Sequence, residues 1–355
     1  MAEQLFAGKL GFGSAAIGNL YRAISDADAF AVIDAAWAAG LRYFDTAPHY
    51  GFGLSEKRLG DALALLDPAG EAVISTKVGR RLDPAPNADL MTVRQGFVSP
   101  EPFESVFDYG YDAVMRSHEA SLKRLRRDRV DILLAHDIGS YAHGDAHAKR
   151  MQEFLGGGLR AMQELRASGA VGAIGLGVNE TAVCEEVLGH AELDMILLAG
   201  RYTLLEQSPL DSLFPLCEKR GVRIIAGAPF NSGILARGVR NSPPAPYEYG
   251  SPSAEVIDRV GRIEDLCLDF GVPIAAAALQ FPIRHALVDA VIPGIATTAE
   301  LQAAQDLIAF PITEDFWNAL ASACLIDARA SSPASFQEHG EQLRASVHGT
   351  RPCNS

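Results

Sequence analysis

The chain has 355 residues, of which 48% are hydrophobic and 21% charged, a composition typical of globular proteins. Its formal net charge of -13 argues against nucleic acid or an anionic membrane surface as a partner, because both require a basic patch. Five cysteines without CxxC or Cys/His spacing indicate neither a disulfide framework nor a zinc site, and the lack of a recognisable targeting segment or long apolar run predicts a cytoplasmic protein without a membrane span.

Strands and helices alternate along the first half of the chain. Ser25 is predicted to cap the first helix, which carries Phe30, Ile33 and Trp37 on its apolar face and ends at Gly40. The hydrophobic pattern predicts strands at 10–18, 41–45, 71–77 and 130–137, and further helices at about 55–66, 114–127 and 155–168.

The second half continues the same alternation. Two long insertions, 79–112 and 230–252, are predicted to be irregular and functional, because ordinary connections are shorter. The basic run 123–127 ends a predicted helix, where it suits the negative pole of the helix dipole, and we interpret it as structural. The pattern predicts strands at 171–179, 194–199, 222–227 and 288–293, and helices at about 181–189, 208–220, 253–270, 273–284, 298–308 and 313–326.

Eight alternating strand–helix units predict a closed parallel barrel. No change of composition divides the chain, so residues 1–328 are expected to form a single (β/α)8 domain. Residues 329–355 are polar and lack strong periodicity, and a loosely ordered tail is expected there.

Four polar residues stand at neighbouring strand ends: Asp45 and Tyr50 after the second strand, Lys77 in the third and His136 in the fourth. Taken singly, each residue has an ordinary structural explanation. In barrel enzymes, however, the active site lies at the carboxyl ends of the strands, where all four of these residues are expected. An ammonium beside a phenol lowers the phenol pKa from its usual ~10, and a carboxylate holds the ammonium. The set therefore predicts a phenol that exchanges a proton with an alcohol or carbonyl oxygen while a cofactor carries hydride.

Two blocks resemble the signatures of the aldo-keto reductase family. They are Gly40–Gly60, which includes Gly-Leu-Arg-Tyr-Phe-Asp-Thr-Ala-Pro-His-Tyr-Gly, and Ser121–His136. The resemblance covers about residues 8–326 and implies a catalytic tetrad of Asp45, Tyr50, Lys77 and His136 (the tetrad), with Tyr50 as the acid/base. It also implies that NAD(P) binds without a Rossmann motif. In agreement, Gly11-Phe-Gly13 lacks the third glycine of the Rossmann dinucleotide-binding sequence.

The family pattern also predicts how the cofactor is held. Asn179 is retained where the family binds the carboxamide, whereas the position of the stacking tyrosine is Gly227, which leaves Phe230 as a candidate ring. The lysine and arginine that bind the 2′-phosphate of NADP correspond to Gly294 and Glu300, so NAD is expected rather than NADP. The expected cofactor-binding residues are Asn179, Gly227, Ala228, Pro229, Phe230, Ser232, Gly294, Ile295, Ala296, Thr297 and Glu300.

Within the family the same blocks are most similar to sugar 1-dehydrogenases of the L-fucose and D-threo-aldose type and to pyridoxal 4-dehydrogenase. The resemblance implies oxidation of an aldose at C1 to a lactone, with pyridoxal oxidation or general carbonyl reduction as alternatives. Substrate contacts are expected from His49, Asn19 in the loop after Gly18, and the two insertions. A Schiff-base aldolase using Lys77 and a channel-associated regulatory subunit are the rival functions. The sequence does not predict which sugar, or whether pyridoxal or another carbonyl compound, is the substrate, and it does not predict the oligomeric state.

Overall fold

The computed structural model describes residues 6–240, 245–248 and 250–330. Twelve strands lie in these ranges: β1 (Phe12–Gly13), β2 (Tyr43–Asp45), β3 (Val73–Val78), β4 (Arg80–Pro84), β5 (Val93–Arg94), β6 (Phe97–Val98), β7 (Phe103–Phe107), β8 (Val130–His136), β9 (Val171–Val178), β10 (Met195–Ala199), β11 (Arg223–Gly227) and β12 (Val288–Ile292). Eight of them form one parallel sheet in the order β1-β2-β3-β8-β9-β10-β11-β12. The sheet closes beside β12, where the Gly11 amide donates to the Val291 carbonyl at 2.9 Å. The prediction of a (β/α)8 barrel is confirmed.

Helices surround the barrel, and the strands are apolar on both faces because each strand is covered from inside and outside. A separate apolar cluster fills the interior and includes Ile132, Leu134, Met195 and Ile225. The α-helices are α1 (Asp26–Ala38), α2 (Leu54–Leu66), α3 (Tyr111–Leu125), α4 (Ser140–His143), α5 (His147–Glu153), α6 (Leu159–Ala167), α7 (Ala182–Leu188), α8 (Leu213–Arg220), α9 (Ile234–Arg237), α10 (Ala254–Asp269), α11 (Ile274–Gln280), α12 (Thr298–Ala309) and α13 (Glu314–Ser322).

Helix α1 confirms the predicted cap but corrects the predicted buried face. The Ser25 hydroxyl accepts from the Asp28 amide at 3.1 Å, as an N-cap residue does. Phe30, however, is 38% exposed, whereas Val32 and Ile33 are fully buried with Ala29 and Ala36. The buried face of α1 therefore consists of small and β-branched side chains, and the aromatic residue lies at its edge.

The insertion 79–112 is more ordered than expected. Strands β4 and β7 pair antiparallel from Arg80–Phe107 to Pro84–Phe103, and β5 pairs with β6 inside this hairpin. Short strands that pair across about twenty residues leave no local periodicity, so the prediction of an irregular segment was wrong. The first barrel strand is also shorter than predicted, since a 3-10 turn follows at Ala16–Gly18.

The helix predicted at 155–168 begins earlier and contains a distortion. Helix α5 runs into a π-helical turn at Phe154–Gly158, and α6 follows directly. Gly158 lies against the backbone carbonyl of Tyr109, where a side chain would clash. The glycine run therefore permits a close contact rather than ending the helix.

The predicted tail is residues 329–355, and of these only 329 and 330 are among the described residues. Arg329 belongs to a 3-10 turn, Ala328–Ala330, and bridges to Asp211 at 2.6 Å. In the ranges that the structure describes, no helix is long and apolar enough to cross a membrane, and no group of His, Cys, Asp and Glu could hold a metal ion.

The basic run at the end of α3 has the structural role that we predicted. Arg124 donates to Glu56 at 2.7 Å, and Arg127 bridges to Asp67 at 2.7 Å. Glu56 is fully buried and also accepts from the Thr76 hydroxyl at 2.6 Å, so one carboxylate ties α2 to both α3 and β3. These contacts fix the outer wall behind the end of β3.

Gly60 lies where α2 crosses the end of α3, and we expect Gly60→Ala to destabilise the protein. A Cβ there would lie 2.7 Å from the Leu125 Cα and would clash with the Arg124 carbonyl. Overpacking costs about 1–3 kcal/mol, and the clash here is with backbone atoms, which places the cost in the upper part of that range and above the gain of about 1 kcal/mol in helix propensity. Thermal unfolding at a fixed scan rate should show a Tm lowered by a few degrees. Gly156→Ala, at an exposed helical position with open space, is the control; equal effects of the two substitutions would contradict this.

Candidate active site

A cleft of about 500 Å³ opens at the carboxyl ends of the barrel strands. All four tetrad residues line it, together with His49 and Asn179. Four ionised side chains reach it from the described residues, the cations Lys77 and Arg80 and the carboxylates Asp45 and Asp137. The cleft is therefore close to neutral although the chain carries a charge of -13.

A buried ion pair joins the ends of β2 and β3. The Lys77 Nζ donates to both carboxylate oxygens of Asp45, at 2.9 and 2.8 Å, and to the Thr46 carbonyl at 2.9 Å. Only 2% of Lys77 is exposed. Burial is the largest single influence on the pKa of Lys77 and lowers it, but Asp45 and Tyr50 together outweigh burial and raise the pKa above its ordinary value. Lys77 is therefore an ammonium.

The hydroxyl groups of Ser75 and Tyr43 form a hydrogen-bonded chain to the Asp45 carboxylate. The Ser75 hydroxyl donates to Asp45 Oδ1 at 2.6 Å, so the hydroxyl of Tyr43, 3.0 Å from Ser75, is the donor to it. Both β2 residues are buried, and their register places Asp45 beside Ser75 of β3. A carboxylate with this many donors keeps one orientation.

Tyr50 stands in a short 3-10 turn, Tyr50–Gly53, directly above the ion pair. The Lys77 ammonium lies 4.8 Å from the centre of its ring. Burial raises the pKa of Tyr50 to about 12, and the Lys77 charge is the strongest influence that lowers it. The expectation of a lowered phenol pKa was therefore wrong in its net direction, because burial outweighs the ammonium. The turn is held by close packing of glycines: a Cβ on Gly18 would lie 2.8 Å from the Tyr50 carbonyl carbon, and one on Gly51 would clash with the Gly18 carbonyl.

His136 ends β8 and faces the tyrosine. Its ring lies perpendicular to that of Tyr50, with centroids 5.9 Å apart. Burial, followed by the charges of Arg80 and Lys77, lowers the pKa of His136 well below its ordinary value, so the ring is neutral. The Tyr109 hydroxyl donates to the His136 carbonyl at 2.7 Å, and the ring Nδ1 has no hydrogen-bond partner among the described residues. An unpartnered buried nitrogen is an open position for a ligand or water.

His49 lines the cleft, as the sequence predicted for a substrate contact. Its Nε2 lies 3.2 Å from Arg80 Nη1, and a guanidinium can only donate, so Nδ1 carries the proton and donates to the Ser105 hydroxyl at 2.9 Å. Burial and then the Arg80 charge lower the pKa of His49 to about 2. Both cleft histidines are therefore neutral at any ordinary pH.

Asn19 does not line the cleft. Its side-chain oxygen accepts from Arg58 at 2.9 Å and from the Ile24 amide at 3.1 Å, and the residue is buried. The amide braces the loop after β1, and its neighbours Leu20 and Tyr21 reach the cleft instead. The prediction of Asn19 as a substrate contact was wrong.

The predicted cofactor residues divide into two groups. Asn179, Gly227, Ala228 and Gly294 line the cleft, whereas Phe230 packs partly buried against the main core and does not support a stacking role. The others lie outside the cleft lining: Pro229, Ile295 and Ala296 are buried, Ser232 is exposed, and Thr297 and Glu300 begin α12.

Glu300 is held at the start of α12. Its Oε2 accepts from the Ala296 amide at 2.7 Å, Thr297 Oγ1 accepts from the Glu300 amide at 3.1 Å, and Arg22 bridges to Oε1 at 3.1 Å. Thr297 and Glu300 form a variant of the capping box, in which a carboxylate satisfies a free backbone donor before the helix. A negative charge thus occupies the place where the family pattern has arginine.

Sequence reasoning missed Arg80 and Asp137. Arg80 follows Lys77 by three residues and Asp137 follows His136 directly, so their positions after strand ends were a usable signal. Gln95, Phe97 and Phe107 of the insertion 79–112 also line the cleft. Of the insertion 230–252, none of the described residues lines it.

Comparisons with known proteins identify the family of this chain. The profile of the Aldo/keto reductase family matches residues 9–324. A pyridoxal 4-dehydrogenase from Microbacterium luteolum is 42% identical over 89% of this chain and 94% of its own. A D-threo-aldose 1-dehydrogenase from a Pseudomonas species is 40% identical over 89% of this chain and 94% of its own.

Solved structures support the fold. An aldo-keto reductase from Bacillus halodurans, in its holo form, superposes with a TM-score of 0.67 at 24% identity, covering 90% of this chain and 92% of that one. A glycerol dehydrogenase from Gluconobacter oxydans gives 0.65 at 22% identity, over 90% of this chain and 94% of that one. The profile match and the two relatives at 40% identity or more show that this chain belongs to the aldo/keto reductase family.

Proposed function

We propose that the protein oxidises an aldose at C1 to the lactone, with NAD as the hydride acceptor and Tyr50 as the acid/base. The observation that carries the proposal is the Lys77 ammonium, fixed by Asp45 and lying 4.8 Å from the Tyr50 ring. The Lys77 charge favours the phenolate, although burial outweighs it and raises the pKa of Tyr50 to about 12, and the phenolate that forms can take the proton of a hydroxyl group. His136, neutral and perpendicular to the tyrosine, orients the oxygen that loses the proton.

Aldo-keto reductases use nicotinamide cofactors, and the residues here fit one. Several small residues line the cleft, Gly177, Ala199, Gly227 and Gly294, and an added Cβ on Gly294 would meet nothing within 4 Å. Such a floor leaves room for a flat ring, and Asn179, which also lines the cleft, suits a carboxamide. The bound cofactor would accept the hydride; the protein supplies the floor, the amide and the proton acceptor.

The choice of an aldose rests on the two relatives, whose named substrates share one chemistry. Aldoses close to cyclic hemiacetals, and pyridoxal, whose aldehyde adjoins a hydroxymethyl group, can close in the same way. Oxidation of either hemiacetal needs one base at the hydroxyl and removal of one hydride from carbon. Pyridoxal oxidation is therefore the second candidate, and NAD reduction measured with aldoses, pyridoxal and simple secondary alcohols separates them.

The geometry argues against the aldolase. A Schiff base needs an uncharged amine, but Lys77 donates to three oxygen acceptors and the Asp45 carboxylate keeps it charged. Borohydride trapping of a carbonyl substrate on Lys77, without any nicotinamide-dependent absorbance change, would support the aldolase instead.

Tyr50→Phe should abolish turnover and keep cofactor binding. Loss of the acid/base lowers kcat by about a hundredfold to ten-thousandfold, while the ring still fills its place. Steady-state NAD reduction and a fluorescence titration of NAD measure the two effects. Tyr111→Phe, on the surface of α3, is the matched control and should keep full activity. A Tyr50→Phe variant with near-normal kcat would refute the assignment.

The oxidation rate should rise with pH. The base is the Tyr50 phenolate, and because burial raises the pKa of Tyr50 to about 12, its population increases throughout the working range. Between about pH 6 and about pH 9 we expect kcat/KM for oxidation to rise close to tenfold per pH unit. The two neutral histidines should add no further inflection to this pH profile. Reduction of the product carbonyl needs the phenol and should stay flat over the same range. A bell-shaped oxidation profile would contradict this proposal.

NAD should bind more tightly than NADP by at least about tenfold, because the family's two cations are missing and the arginine position is Glu300, whose negative charge the exposed Arg22 offsets only in part. Glu300→Gln keeps the cap but removes the charge, and it should improve NADP affinity by about threefold to tenfold without changing NAD. Glu314→Gln, at the start of α13 and paired with Arg284, is the matched control. Equal affinity of the unaltered protein for both cofactors would sink the NAD assignment.

A further inference from the structure

Two charged side chains of the cleft have no part in the proton transfer. The Arg80 Nη2 donates to Asp137 Oδ2 at 2.6 Å, and each side chain is 15% exposed. Arg80 begins β4 of the outer hairpin and Asp137 follows β8 of the barrel, so the pair joins the hairpin to the catalytic edge. The Arg80 guanidinium also lies 4.3 Å from the Phe107 ring, which fixes its plane.

Asp137 is held in an unusual backbone conformation. Its φ is +51°, in the left-handed region that residues other than glycine rarely adopt. The Asp137 amide donates to the Gly177 carbonyl at 2.9 Å, and its carbonyl accepts from the Tyr109 hydroxyl at 3.1 Å. These two hydrogen bonds hold the backbone of Asp137 in place, and its carboxylate lines the cleft.

The pair still has hydrogen-bonding capacity. Asp137 Oδ1 accepts no hydrogen bond from the described residues. The Arg80 side chain, which also lines the cleft, has more N–H donors than its contacts with Asp137 and His49 use. An acceptor and a donor on adjacent groups match two hydroxyls of one molecule, since a hydroxyl both donates and accepts. The charged side chains of the cleft cancel, two cations against two carboxylates, so a charged substrate is not favoured over an uncharged one.

We propose that Asp137 and Arg80 bind hydroxyl groups of an uncharged polyhydroxy substrate and so make ring hydroxyls a requirement for efficient turnover. This inference rests on the proposed aldose oxidation and gives that site its substrate class. A molecule without these hydroxyls leaves the carboxylate and the guanidinium desolvated and incompletely paired, which is how polar sites reject analogues that lack a hydroxyl. Asp137 and Arg80 are specificity residues in this role.

The test compares the unaltered enzyme with Asp137→Asn on L-fucose and its monodeoxy analogues. Asparagine tolerates the left-handed backbone, so the fold is kept. The unaltered enzyme should use at least one analogue about ten- to a hundredfold less well by kcat/KM, the value of one hydrogen bond to a charged group. The variant should show a raised KM for L-fucose and discriminate against that analogue by less than about threefold.

Three controls distinguish direct binding of the hydroxyls from an indirect effect on catalysis. Propionaldehyde has no hydroxyl, so the loss of kcat/KM in Asp137→Asn should be at least about tenfold greater for L-fucose oxidation than for propionaldehyde reduction. An equal loss on both substrates would mean that Asp137 acts through His136, 3.5 Å away, and would overturn the inference. Asp83→Asn breaks an arginine pair on the outer side of β4 and should behave as the unaltered enzyme. NAD affinity should be unchanged in both variants.

The inference and the proposed function fail differently. If the unaltered enzyme oxidises L-fucose but Asp137→Asn discriminates among the analogues as strongly as before, the inference alone is overturned. If the unaltered enzyme oxidises pyridoxal and no aldose, the aldose function is overturned together with the inference.

Discussion

The buried ion pair between Lys77 and Asp45 is the constraint on which the site depends. An ammonium that is 2% exposed requires a compensating charge, and removing one partner of such a pair costs about 3–5 kcal/mol. Asp45 therefore has to end β2 beside Ser75, in the register the barrel shows. The same charge acts on both titrating neighbours, since it lowers the pKa of Tyr50 against burial and helps to keep His136 neutral. The strand register that places Asp45 beside Ser75 is therefore also what gives Tyr50 and His136 their electrostatic environment.

Much of the fold was predictable because each strand carries its own signal. A barrel strand buried on both faces is a short apolar run, and the polar residue that ends it points to the site, as Lys77 and His136 do. Features that depend on distant partners were not predictable. The β4–β7 hairpin pairs residues about twenty apart, and the edge position of Phe30 depends on which face of α1 is buried.

The same distinction applies to the site. Position after a strand end was enough to assign the tetrad as candidates, but it could not separate Asn19, which braces a loop, from Tyr21, which reaches the cleft. The role of Asp137 depends on its left-handed backbone and on an arginine presented by the hairpin. Neither can be read from residue type. Side-chain chemistry was visible in the sequence, whereas side-chain direction needed the structure.

The glycine contact beneath Tyr50 has a consequence for how such an enzyme can change. Gly18 and Gly51 touch through their backbones, so the loop after β1 and the turn that carries the phenol have no side chains between them to absorb a shift. The two segments behave as one rigid part, although about thirty residues of sequence separate them. A loop exchanged after β1 to admit another substrate would also displace the phenol. A variant with a new substrate specificity from the loop after β1 would therefore keep its catalytic activity only if the turn that carries Tyr50 were varied with it.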